Sequence, residues 1–110
     1  MTTTLPTTMS GRIVAWLDAL TANYEAAGHD NGITFEQQAP GQKFSRIVMI
    51  DHGKARSVHA FLDVRTGDVY KAAGWKAPAK HVRFNLMDDE SFARMIEVAT
   101  WSGGYLYINR

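Results

Sequence analysis

The sequence contains no cysteine, so disulfide bridges, thiolate nucleophiles and cysteine-ligated zinc are excluded at the outset. It has no apolar run near the ~18 residues needed to span a bilayer. Its first ten residues, MTTTLPTTMS, lack the basic and apolar regions of a secretory signal. A cytoplasmic protein without membrane contact is therefore expected. The four histidines fall into no HxH, HExxH or HxxxH spacing, and there is no Walker-type loop, dinucleotide fingerprint or nucleophile elbow. Charge of either sign is not in excess: 12 Lys+Arg against 11 Asp+Glu leave +1, which argues against a non-specific polycationic binder.

What is present is a chain of 110 residues, 45% hydrophobic and 21% charged, the composition of one globular domain. Residues 1–10, Thr-rich with Pro6, read as a flexible leader, and residues 11–110 as a single α+β domain. A domain of this length retains only ~5–10 kcal/mol of net stability. Association into a homo-oligomer, dimer or higher, is a natural supplement.

Hydrophobic periodicity sets the expected elements. Ile13, Trp16, Leu17, Leu20 and Tyr24 recur at helical spacing, which predicts an amphipathic helix from Gly11 to about Ala27, capped by Ser10 and stopped at Gly28. The segment around Asn31-Gly32 and Pro40-Gly41 reads as a loop, with an edge strand over Ile33–Gln37. Phe44–Asp51 is a strand whose run Ile47-Val48-Met49-Ile50 predicts cover on both faces. Ser57–Val64 is a second strand, with Val58, Ala60, Leu62 and Val64 on one face and His59, Phe61 and Asp63 on the other. A turn at Arg65-Thr66-Gly67-Asp68 returns the chain as a strand over Val69–Ala73. After a loop and a short extended piece at Val82–Leu86, Asp88-Asp89-Glu90 opens a second helix with Phe92, Met95, Ile96 and Ala99 on its apolar face. Gly103-Gly104 end that helix, and Tyr105–Ile108 closes the chain as a strand. The expected architecture is α+β: a mainly antiparallel sheet of three to five strands with two helices, in the order α-(β)-β-β-β-loop-α-β.

One stretch departs from ordinary domain sequence. GDVYKAAGWKAPAKHVRFN, Gly67 to Asn85, gathers Lys71, Lys76, Lys80 and Arg83 with His81, Tyr70 and Trp75. Residues 69–87 hold four cations and no carboxylate, so the remainder, against a total of +1, sums to −3. Ammonium and guanidinium groups beside an indole suit a phosphate joined to a flat ring. The expected ligand-binding set is Lys71, Trp75, Lys76, Lys80, His81, Arg83 and Tyr70, without a cofactor and without a nucleophile or base of its own.

The same stretch resembles small, uncharacterised phage-encoded proteins in which a hairpin ending in GD(V/I)YK precedes WKAPAK and a basic KHxRxN tail. The resemblance covers roughly residues 57–87. It implies a phage accessory protein acting in the host cytoplasm and brings no activity or catalytic residues with it.

Several functions remain open on these residues. A nucleotide-like anion bound without chemistry, in a phage protein the sequestration of a host signalling nucleotide, suits one short basic segment best. Single-stranded or duplex nucleic acid is the alternative. A phosphodiester hydrolase would draw on Asp51 with His52, or Asp63 with His59; a metal site would need His52, His59 and His81 with Asp51 or Asp63. Docking on an acidic surface of a host enzyme is the remaining reading. Tyr105 and Tyr107 alternate on the expected last strand as stacking or interface residues, while Trp16 and Trp101 are assigned to core or interface.

Overall fold

The computed structural model describes residues 6–28, 32–38, 43–75 and 77–106. Helix α1 spans Met9–Ala26; strands β1 Ile33–Gln38, β2 Phe44–Asp51, β3 Lys54–Asp63, β4 Asp68–Lys71 and β5 Phe84–Asn85 follow, then helix α2 Asp89–Val98 and a 3-10 turn at Gly104–Leu106. The five strands form an antiparallel meander in chain order. This is the α+β architecture expected, with two helices on a five-stranded sheet.

The element ends differ from the sequence expectation for local reasons. Helix α1 starts at Met9, ahead of the Gly11 start that a Ser10 cap implies, because the Thr8 hydroxyl accepts the Gly11 N–H at 3.1 Å and closes the first turn. Gly28 follows its end at φ 90°, the left-handed stop predicted for it. Asp88 caps α2 through Ser91 N–H, with Asp89 and Glu90 in the first turn where the helix dipole favours carboxylates. That helix stops at Val98, before Gly103-Gly104. Tyr105 and Leu106, expected in a closing strand, lie instead in the 3-10 turn, and Tyr107 and Ile108 fall outside the described residues. The Asn31 and Pro40-Gly41 turns and His29 also fall outside them, as do residues 1–5 of the N-terminal leader.

Both helices pack on one face of the sheet. Ile13, Trp16 and Leu20 of α1 and Phe92 and Met95 of α2 meet Ile33, Phe35, Ile47, Ala60, Leu62 and Val69, with Leu86 and Leu106 closing the core. Burying a large apolar side chain of this kind stabilises the fold by about 1.5–3 kcal/mol. Arg12 is buried beside them, its guanidinium donating to Pro6 O, Leu86 O and Asp89 Oδ1, and so it ties α1 to the start of α2. The opposite sheet face is covered too: Val48, Ile50 and Phe61 are buried there, and the Phe44 ring stands edge-on to Phe61 and Tyr70.

Strand β3 carries the feature that positions the site. Its register against β2 runs Ile47↔Ala60, Val48↔Val58, Met49↔Ser57, Ile50↔Ala55, skipping His59 and then Arg56. Each skipped residue is a β-bulge, which inserts one unpaired residue and re-aims the side chains beyond it. The simple alternation expected for this strand therefore fails below Ala60. Val58 sits opposite Val48 on the outer face rather than with Ala60 and Leu62. His59 moves to the core side, where its ring lies edge-on to Trp16 and Phe35.

Candidate functional site

Pairing between β3 and β4 ends at Ala60↔Lys71, one residue from the His59 bulge. Beyond Lys71 the chain forms a narrow arm rather than continuing the ladder. Ala72 bridges Pro78, Ala73 N–H donates to Ala77 O at 3.0 Å, and Ala79 N–H returns to Lys71 O at 2.7 Å. The arm turns toward the outer face, since Arg46 of β2, two strands away, donates its Nε–H to the Trp75 carbonyl. Its departure leaves space beside the first half of β3, and residues 101–106 form the far wall of that space.

The result is a cleft of about 420 Å³ lined by Arg56, Ser57 and His59 from the bulged strand, Lys71 from β4, and Trp101 and Ser102 from the far wall, among others. This volume lies within the ~300–1,000 Å³ usual for small-molecule sites. No carboxylate is among the described residues lining it. Arg56 is well exposed and makes a 2.6 Å ion pair with Asp51, which also accepts from His52 at 2.6 Å. Those two hydrogen bonds, His52 first, lower the Asp51 pKa below its ordinary value.

A chain of hydrogen bonds holds the far wall. Trp16 Nε1–H donates to Tyr105 Oη at 2.8 Å, and Tyr105 Oη lies 2.6 Å from His59 Nε2. His59 also bonds the Trp101 backbone. A ring that donates one N–H to that carbonyl keeps Nε2 bare in its neutral form, so Tyr105 O–H donates to it. Burial lowers the His59 pKa to about 4, with the Trp101 bond opposing, and raises that of Tyr105 above the ordinary phenol range. Two further ties fix the wall: Trp101 N–H to Asn23 Oδ1 at 3.0 Å, and Arg83 Nε–H to Leu106 O at 2.6 Å.

The expected ligand-binding residues are dispersed by this geometry. Lys71 enters the cleft. Tyr70, its neighbour, points to the outer face against Phe44, where burial and then Asp68 and Asp63 raise its pKa. Trp75 stands at the arm tip, 47% exposed. Lys80 and His81 are exposed where the chain returns, His81 at φ 73°. Arg83 is a structural clamp, its guanidinium donating to the carbonyls of Lys80, His81 and Leu106. Lys76 lies outside the described residues.

The acid–base and metal combinations are likewise separated. Asp63 is buried with the Arg65 N–H and guanidinium and does not face His59. Among the described residues no three histidines or carboxylates gather into a metal-binding cluster. Sequence reasoning missed Ser57 because the alternation expected for the strand puts it on the face away from Ala60 and Leu62, whereas the His59 bulge turns it to the Met49 side that lines the cleft; Arg56 lies ahead of the strand expected from Ser57. It also missed Arg46, whose bond to the Trp75 carbonyl joins residues 29 positions apart.

A family model matches residues 7–108. The chain belongs to DUF7717, a family of unknown function. No curated protein and no solved structure matches the chain. The matched span includes β3, the arm and residues 101–106, so the cleft and the arm both lie within the DUF7717 domain. No helix among the described residues is long and apolar enough to cross a membrane.

Proposed function

We propose that this DUF7717 protein binds a compact phosphate-bearing ligand of nucleotide size in the cleft, capturing it without chemistry. The carrying observation is that two bulges and the departing arm put Arg56 and Lys71, from different strands, on one cleft whose described lining holds no carboxylate. A guanidinium offers paired N–H donors to a phosphate, an ammonium adds a point charge, and the Ser57 and Ser102 hydroxyls add further donors. Trp101 supplies an aromatic surface on the far wall for a flat ring. His59 has partners for both ring nitrogens and serves the wall rather than a proton transfer. In a protein resembling phage-encoded ones, the corresponding role is sequestration of a host signalling nucleotide.

Calorimetry with inorganic phosphate and a panel of mono-, di- and cyclic nucleotides tests this reading. Wild type is expected to bind at least one nucleotide, and the Arg56→Ala/Lys71→Ala double variant to lose that binding while melting like wild type. No heat from wild type across the panel, or equal binding by the double variant, would sink it.

A further inference from the structure

The arm tip is not part of the cleft. It crosses to the face of the sheet away from the helices, where Arg46 holds the Trp75 carbonyl. Arg46 shares that face with Phe44 of the same strand and with Tyr70 of β4. Lys43 places its ammonium 5.2 Å from the Phe44 ring centroid, Phe44 meets Tyr70, and exposed Lys80 lies on the returning side of the arm. The two carboxylates of β3 and β4 on this face are engaged: Asp63 is buried with Arg65, and Asp68 accepts from Asn85 Nδ2 at 2.7 Å. Glu36 is on edge strand β1, opposite Val48 in the register.

Trp75 presents nearly half of its surface at a tip pinned by its own backbone to the Arg46 guanidinium. Every nucleic-acid base has a face that stacks on an indole, whatever its sequence, and flanking ammonium groups meet the phosphates on either side. A duplex keeps its bases stacked on each other and offers no such face. We infer that the outer sheet face is a second site, at which single-stranded nucleic acid stacks a base on Trp75 and passes its backbone along Lys43, Arg46 and Lys80.

Because Arg46 holds the carbonyl and not the ring, Trp75→Ala removes the stacking surface while leaving the tie that positions the arm. Fluorescence anisotropy with a labelled 12-nucleotide single strand of mixed sequence, and with the same sequence as a duplex, provides the test. Wild type is expected to prefer the single strand, and Trp75→Ala to weaken binding about ten-fold. Lys43→Ala/Lys80→Ala is expected to flatten the plot of log affinity against log salt by roughly 1.4, about 0.7 for each phosphate no longer neutralised. The cleft variant Arg56→Ala/Lys71→Ala is expected to bind the strand like wild type, so this site and the cleft stand or fall separately. The inference is overturned by any of these results: no binding by wild type, equal binding of the duplex, an unchanged affinity in Trp75→Ala, or loss confined to the cleft variant.

Discussion

His59 shows how one inserted residue changes what a side chain does. Enclosed by Trp16, Phe35 and Tyr105, it stays neutral, with its pKa near 4 against about 6.5 in an unfolded chain. Between those two values the unfolded state binds more protons than the folded one, so stability rises with pH across the window and falls on acidification from about 6.5 to 4. Below the folded pKa this group contributes no further loss. At about 1.4 kcal/mol per unit, the full difference is roughly 3–4 kcal/mol. His59→Gln is expected to lose that part of the pH dependence, read as a smaller drop in urea midpoint than wild type between pH 7 and pH 4.5. Arg12 belongs to the same scale. Removing it as Arg12→Ala strips the donors from Leu86 O and Pro6 O inside the fold and should cost about 2–4 kcal/mol in chemical denaturation. Asp89→Asn, at a largely solvated partner whose amide oxygen can still accept from Arg12, should cost under about 1 kcal/mol.

The arm is the element whose behaviour is least tied to the core. Among the described residues it is held by the Ala72–Pro78 bridge, the Ala79 N–H to Lys71 O bond at its base, the Ala73 N–H to Ala77 O bond farther out and the Arg46 tie at its tip. Arg46→Ala is expected to increase amide exchange across residues 73–77 while lowering global stability by only about 1 kcal/mol. Unchanged exchange there would mean that the tip is held by other contacts. At the other end of the β2–β3 pair, His52 and Gly53 form a two-residue turn with φ of 50° and 86°, the geometry that matches the twist of its strands. The interval left between the strands expected over Phe44–Asp51 and Ser57–Val64 is therefore a tight hairpin, and Lys54 to Arg56 are already strand. Bulges in that strand then decide which of its residues reach the cleft.

For the whole molecule, a ligand that binds only the folded chain raises its stability by mass action. At a concentration of one hundred times Kd the gain is about 2.7 kcal/mol, a rise in Tm on the order of 10 °C for a domain of this size. A concentration-dependent rise with the nucleotide that binds wild type, absent in Arg56→Ala/Lys71→Ala, is the expected result in a thermal melt. The helix face, the mainly antiparallel sheet and the hairpin at Gly67 were legible in the chain because each rests on local periodicity or on a glycine at a turn. The basic stretch was legible as a concentration of charge, though not as a surface. Lys71 and Tyr70, adjacent in sequence, leave opposite faces of β4, and Arg83, the only arginine of that stretch, is spent on three carbonyls.

Local spacing by itself determined the α+β class, the core stripes of both helices and the segment in which positive charge gathers, since all three depend on neighbours within a turn or a strand. Tertiary structure decided where that charge goes. The bulges at Arg56 and His59, the arm that leaves at Ala72 and the wall tied through Tyr105 each depend on partners dozens of residues apart, and no short-range pattern encodes a register shift between strands.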